Sequence, residues 1–276
     1  VNSANTARSI SYWTGKTVIV TGASSGLGYQ LAAAFQASGA NTVLAARTEA
    51  TLTAAAEKLG GRAGRVLPVV CDVTRDADVE NLVARTIAEF GKLDCLVNNA
   101  GLSVRKRVID TTPDDFRELM ELNLIATVRC TRAAMPHLLP AKGHLVNIGS
   151  LAGKSAARYL GAYPASKFAV SAYTQQLRLE LGPEGLHVLL VCPGPIARDD
   201  GRVRSPEELA GLPESARKPG AGVKTREIRP ERLAEMILAA CEGRKSELIV
   251  PWKARILFTL QQMSPRIGDW LVRKMT

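Results

Sequence analysis

Short apolar runs alternate with longer amphipathic stretches along the chain. The runs are 17–20, 42–45, 66–70, 93–97, 144–148, 187–191 and 247–250. Most are rich in β-branched residues, and none alternates strictly between apolar and polar positions. Strands that are apolar on both sides lie inside parallel sheets covered by helices on both faces. Between the runs lie helical patterns. Residues 26–38 place Leu27, Leu31 and Phe35 four apart, and Gly39 follows as a stop signal. Residues 48–59 repeat Ala and Leu, and 76–90 carry Val79, Leu82, Val83 and Ile87. The segment 114–139 follows Thr112-Pro113, an N-cap and then a proline at the first helical position. Residues 164–181 form a further helix, again opened by a proline. This alternation, sustained to about residue 191 with no internal repeat, predicts an α/β fold with a doubly wound parallel sheet.

Two segments depart from the rhythm. Residues 197–230 hold Pro206, Pro213, Pro219 and four glycines among many charges. Long loops of this kind in compact domains are usually lids or binding loops. In 252–276, Ile256, Leu260, Met263, Ile267, Trp270 and Met275 recur mostly at three- and four-residue steps, interspersed with Lys253, Arg255, Arg266, Arg273 and Lys274. Pro265 should divide this tail into two helices. Such a basic, Trp-bearing amphipathic stretch lies in a bilayer interface or packs on the body or a neighbouring subunit.

Composition narrows the field. With 276 residues, 46% apolar and 22% charged, the chain is neither disordered nor collagen-like. No run of about 18 uncharged apolar residues predicts a membrane-spanning helix. No charged and then apolar leader opens the chain, so secretion is not expected. It begins with Val1 rather than Met, which leaves room for an upstream segment. Five dispersed cysteines (Cys71, Cys95, Cys130, Cys192, Cys241) form no CxxC pair. They read as buried small hydrophobes in a reducing, cytoplasmic setting, and no metal site is expected. The net charge of +10 is spread along the chain, and aromatics are only 5%. That argues against a nucleic-acid surface and leaves either a plain solvated basic surface or charge that serves a phosphate-rich ligand or a lipid surface.

Gly22, Ser24, Ser25, Gly26, Leu27 and Gly28 follow the first strand and open the first helix. Glycines there let the backbone approach a diphosphate, to which the helix N-terminus offers N–H groups. The Gly-Lys-Ser/Thr of a P-loop is missing, so nucleotide hydrolysis is disfavoured. About 20 residues on, where an acidic residue would meet the ribose of NAD, the chain has Arg47. A guanidinium matches a phosphate, so the pattern favours NADP(H). Tyr163 and Lys167, at i and i+4, share a helix face. A nearby ammonium lowers a phenol's pKa, so the pair can exchange a proton with a carbonyl or alcohol. Ser150, Asn98-Asn99-Ala100-Gly101, Pro193-Gly194-Pro195-Ile196 and Asp72-Val73 each end a predicted strand on the edge where ligands bind.

With TGASSGLG, NNAG, Asn123, Ser150, YPASK and PGPI in this order over roughly 13–196, the sequence resembles the short-chain dehydrogenase/reductase family. The resemblance implies that Tyr163 is the general acid–base, that Lys167 holds the nicotinamide ribose and tunes Tyr163, and that Ser150 positions the substrate oxygen. It implies that Asn123 keeps a water linking Lys167 to solvent. By the same likeness Asp72 and Val73 meet the adenine, Asn99 with Ala100 and Gly101 lines the adenosine side, and Pro193, Gly194 and Ile196 pack on the nicotinamide. A homodimer or homotetramer is implied as well. Arg198 stands where many members carry a cofactor-holding Thr, and the C-terminal part is more like members acting on lipid or steroid ketones. The expected layout is an arm over 1–12, a catalytic domain over 13–251 with a substrate lid over 197–230, and the tail over 252–276. The expected activity is NADP(H)-dependent hydride transfer on a small-molecule carbonyl or alcohol. The alternatives are a silent NADP(H)-binding sensor or scaffold, and a membrane-surface protein led by its tail.

Overall fold

The computed structural model describes residues 11–60, 64–197, 209, 211–217 and 226–275. Seven parallel strands form one sheet in the order β3-β2-β1-β4-β5-β6-β7. They are β1 (Thr17–Thr21), β2 (Asn41–Ala46), β3 (Val66–Val70), β4 (Cys95–Asn98), β5 (His144–Ile148), β6 (His187–Pro193) and β7 (Glu247–Val250). The strand order reverses between β1 and β4, the switch point at which open α/β sheets bind ligands.

The absence of alternation in the runs has its cause here. Val18 and Val20 of β1, Leu44 of β2, Val97 of β4 and Val146 of β5 point to one face, where α1 (Gly26–Ala37), α2 (Glu49–Leu59) and α8 (Pro230–Glu242) cover them. Ile19, Val43, Leu96 and Leu145 point to the other, under α3 (Asp76–Phe90) and α5 (Ala126–Leu138). Each fully buried Leu or Phe in these layers contributes about 1.5–3 kcal/mol.

The predicted helix 114–139 is interrupted. Thr112 caps α4 (Pro113–Met120) in a reciprocal box with Asp115, as its sequence signal suggested. Residues Glu121–Ile125 then form one π-helical turn before α5. Asn123 lies in that turn and is buried. Its Oδ1 accepts from the Leu102 N–H (2.8 Å), and its Nδ2 donates to the Leu102 carbonyl (3.0 Å) and to Ser166 Oγ (2.9 Å). These bonds draw the turn toward the strand edge. The next helix, α6 (Tyr163–Leu181), begins one residue earlier than expected.

At the opposite end of the sheet a polar chain runs from the exposed Tyr12 through two buried histidines. Tyr12 Oη meets His144 Nε2 at 2.8 Å, His144 Nδ1 meets His187 Nδ1 at 2.8 Å, and His187 Nε2 meets the Lys245 carbonyl at 2.8 Å. A carbonyl only accepts, so His187 Nε2 carries its hydrogen. His187 Nδ1 then accepts from His144 Nδ1–H, and His144 Nε2 accepts from the Tyr12 hydroxyl. Cys241 of α8 stands beside the pair. All five cysteines are free and buried.

Pieces of 197–230 are described. Ile196 and Ile228 form a parallel bridge, and the Ala197 N–H donates to the Ile228 carbonyl at 2.9 Å. The short α7 (Glu214–Arg217) is held by Arg105, whose Nε donates to the Ala216 carbonyl at 3.2 Å. Arg198 and the rest of that excursion, together with arm residues 1–10, lie outside the described residues. The tail folds as α9 (Ala254–Met263) and α10 (Pro265–Met275), divided at Pro265. Ala254 and Phe258 pack on Val170, Leu190, Cys192 and Ile249. Among the described residues no helix is long and apolar enough to cross a membrane.

Candidate active site

β1 hands over to α1 through the glycine turn. Gly22 sits at φ 66°, a left-handed value. A Cβ there would lie 3.1 Å from both Ala100 Cα and Asn99 Nδ2. At Gly28 a Cβ would collide with the Gly22 carbonyl oxygen and approach Asn99 Nδ2 to 2.5 Å. Gly26, at φ 52°, has nothing within 4 Å of where its Cβ would project. The turn is therefore tight toward the protein and open toward the cleft, the shape that suits a diphosphate lying across a helix N-terminus.

Asn99 is occupied with that turn. Its Nδ2 donates to the Thr21 carbonyl (2.8 Å) and the Gly22 carbonyl (3.3 Å). Thr21 Oγ1 accepts from the N–H groups of Asn99 and Ala100, each at 3.0 Å. The ends of β1 and β4 are thereby stitched together at the switch point. Thr21 was not singled out in the sequence, although it opens the glycine motif and its hydroxyl is what such a stitch needs.

Arg47 follows β2, exposed along the cleft, near Asp72 beyond β3. Burial pushes the Asp72 carboxyl up. The N–H and hydroxyl of Thr74, at 3.0 and 2.7 Å, outweigh that together with Arg47 and Arg75, and hold it below its ordinary value.

Ser150 ends the β5 edge. Its Oγ accepts the Ala152 N–H at 3.1 Å, capping a short 3-10 turn, an arrangement in which its own proton remains a donor for a substrate oxygen. Tyr163 is the first residue of α6, and Lys167 stands one turn further on. The Lys167 Nζ lies 6.0 Å from the Tyr163 ring centroid and donates to the Ile148 carbonyl at 2.8 Å. The Lys167 side chain is buried, and that burial pulls its pKa down to about 8. At neutral pH it is still mostly an ammonium, held at a cost of about 3 kcal/mol relative to the unfolded chain. Lys167→Met should therefore raise the stability of the ligand-free protein by about 1–2 kcal/mol at pH 7, once the loss of the carbonyl hydrogen bond is subtracted. Urea unfolding checks this; a destabilised variant would contradict the origin given for the shift.

One cavity of about 1330 Å³ joins these groups. Gly22, Ser24, Ser25, Gly26, Leu27, Gly28 and Arg47 line one end, with Val73, Asn99, Ala100 and Gly101 along the middle. Ser150, Tyr163, Lys167, Pro193, Gly194 and Ile196 line the other end. Asp72 and Asn123 stand behind the wall. Gly101 keeps the space beside Asn123 and Lys167 clear, since a Cβ there would lie 2.8 Å from Asn123 Oδ1 and 3.5 Å from Lys167 Nζ. Leu257, Phe258, Leu271 and Val272 of the tail add an apolar part to the cavity's lining.

Residues 16–208 match the family model described as short chain dehydrogenase. The chain is 40% identical over 185 residues to an L-fucose dehydrogenase of Bos taurus, an alignment covering 67% of each protein. Among solved structures it superimposes on a short chain dehydrogenase/reductase from Burkholderia phymatum in complex with NAD, with TM-score 0.80 and 25% identity over 92% of this chain and 95% of the other. It also superimposes on the L-sorbose reductase from Gluconobacter frateurii complexed with NADPH and L-sorbose, with TM-score 0.74 and 26% identity over 86% and 95%.

Proposed function

The chain belongs to the short-chain dehydrogenase family, and from that premise we propose that it reduces a small-molecule ketone to a secondary alcohol with NADPH, the reverse oxidation using NADP+. The observation that carries this reading is the single cavity shared by the glycine turn, Arg47, Ser150, Tyr163 and Lys167. The open side of Gly26 and the close approach of Gly22 and Gly28 to their surroundings fit a dinucleotide diphosphate. In this reading Gly22 and Ser24 to Gly28 hold the diphosphate and Arg47 the 2′-phosphate. Asp72 and Val73 meet the adenine, Asn99, Ala100 and Gly101 border the adenosine, and Pro193, Gly194 and Ile196 support the nicotinamide. The bound cofactor supplies the hydride.

Ser150 and Tyr163 donate hydrogen bonds to the substrate oxygen as negative charge grows on it. Tyr163 then passes its proton to that oxygen. The phenolate left behind is stabilised by the Lys167 ammonium, and Asn123 keeps the water through which Lys167 reaches solvent. A sensor that binds the dinucleotide without turnover would have no use for an ammonium buried beside a tyrosine. The buried free cysteines support a reducing, cytoplasmic setting. The exposed Ile125, Phe168 and Leu179 offer apolar surface to a second copy in a homodimer or homotetramer.

Consumption of NADPH absorbance with a ketone panel tests the activity; no turnover of any ketone would defeat it. Arg47→Ala removes charge-assisted bonds of about 1.5–3 kcal/mol. It should therefore raise the KM for NADPH about 10- to 100-fold and leave that for NADH unchanged. Unaltered NADPH kinetics would detach Arg47 from the 2′-phosphate.

A further inference from the structure

We propose that the α9–α10 tail seats the mouth of the cavity on an anionic lipid bilayer, and that the ketone is an apolar compound drawn from that bilayer. The substrate half rests on the reductase reading above; the docking half does not.

Ile256, Leu260 and Met263 follow one stripe of α9 at i, i+4 and i+7, and are 56%, 37% and 78% exposed. Ile267 and Trp270 do the same on α10, and Trp252 is exposed just before α9. The opposite side of α9 is anchored on the body through Ala254 and Phe258. Gly268 is buried where a Cβ would lie 2.5 Å from Gln261 Cγ, so α10 lies hard against α9. These apolar side chains are therefore held outward by packing. Ile256 and Leu260 also line the cavity. The exposed apolar stripe thus continues into the cavity wall.

Charge selects the occupant. Lys253, Arg255, Arg266, Arg273 and Lys274 outnumber the tail's one acid, Asp269, and Arg255 also lies 3.9 Å from Glu247 of β7. The Lys274 Nζ lies 4.0 Å from the Trp270 ring centroid. A second copy would bring the same positive surface and be repelled, whereas an anionic leaflet attracts it. Tryptophan flanked by Lys and Arg is suited to the headgroup boundary. With the rim in that boundary, an apolar ketone passes from lipid to cavity without exposing its hydrocarbon to water, a transfer that grows more costly with apolar area.

The test is co-sedimentation of the full chain with vesicles of phosphatidylcholine, alone or with phosphatidylglycerol. It is run beside the Ile267→Asp/Trp270→Glu double variant, whose two positions are exposed. The full chain should partition onto the anionic vesicles at least about tenfold better than the variant, and lose most of that binding between about 0.1 and 0.5 M salt. The melting temperature and NADPH affinity should be the same for both. Tridecan-2-one carried in the vesicles should be reduced about tenfold more slowly by the variant, and butan-2-one in buffer at an equal rate. Equal partitioning of the two proteins, or no partitioning, overturns the docking. So does a variant that turns a dimer into a monomer while neither form binds vesicles, which makes the face an interface between copies. Equal relative rates on the two ketones overturn the bilayer route. Vesicle binding as expected without reduction of any ketone defeats the reductase reading and leaves the docking standing.

Discussion

Tyr163→Phe is expected to cut turnover by about 10²- to 10⁴-fold, the usual worth of a positioned general acid, while NADPH binding stays within about twofold because a phenyl ring keeps the same packing. The variant differs from the parent by one hydroxyl oxygen. The ring still rests against Ala152, Ala157 and Leu160, and the helix start that holds it is made by backbone and by Ser166 Oγ, which donates to the Tyr163 carbonyl at 2.8 Å. Lys167 keeps its bond to the Ile148 carbonyl, so the ammonium has no reason to move. Fluorescence titration with NADPH and steady-state rates on the same preparation separate the two quantities. Turnover preserved in the variant would remove Tyr163 from the proton transfer. Loss of both turnover and binding would show that the hydroxyl holds the cofactor instead.

The second large effect is on stability in mild acid. Burial, with the charges of His187, Arg244 and Lys16 adding to it, pushes His144 down to about 3, and burial lowers His187 too. In the unfolded chain a histidine titrates near 6.5. Between about pH 6.5 and 3 the unfolded state therefore binds a proton that folded His144 refuses, and stability falls as the pH falls through that window. His144 alone should cost about 2 kcal/mol by pH 5 and of order 4–5 kcal/mol at pH 3. Protonation would also disturb the chain from Tyr12 to Lys245: on His144 the added hydrogen sits on Nε2, which now accepts from the Tyr12 hydroxyl, and on His187 it sits on Nδ1, facing the His144 Nδ1–H. Urea unfolding at pH 7 and pH 5 reads the first figure before most carboxylates titrate. His144→Gln should be less stable at pH 7 but show a clearly smaller change between the two pH values. An unchanged slope in that variant would place the acid sensitivity elsewhere.

Much of this molecule is legible along the chain, for a physical reason. Val18 and Ile19 face opposite layers of helices, so the middle of β1 must be apolar on both sides, and the same holds for the centres of β2, β4, β5 and β6. The strand ends carry Thr21, Asn99, Ser150 and Pro193 on one rim, and the order of strands in a doubly wound sheet brings that rim together. Pro265 divides the tail because a proline cannot donate within a helix. What could not be read depends on contacts between distant residues. The π turn exists because Asn123 reaches Leu102 and Ser166, and nothing within 114–139 announces those partners. His144 and His187 become neighbours only through the pairing of β5 with β6. The tail's periodicity marked an amphipathic pair of helices, but which apolar residues would close the cavity and which would face outward was set by the seat that Val170, Leu190 and Ile249 provide.

The bridge between Ile196 and Ile228 has a consequence for how this enzyme can change. It pins the two ends of the intervening stretch beside the end of β6. The entropy of closing a loop rises only slowly with its length, by about 0.6 kcal/mol per doubling. A change of length between the clasped ends therefore costs little in closure entropy, provided that the buried Leu212 and Ala216 and the bond from Arg105 that holds α7 are kept. New specificities can be drawn there, by evolution or by an engineer, while the chemistry on the sheet's rim stays as it is.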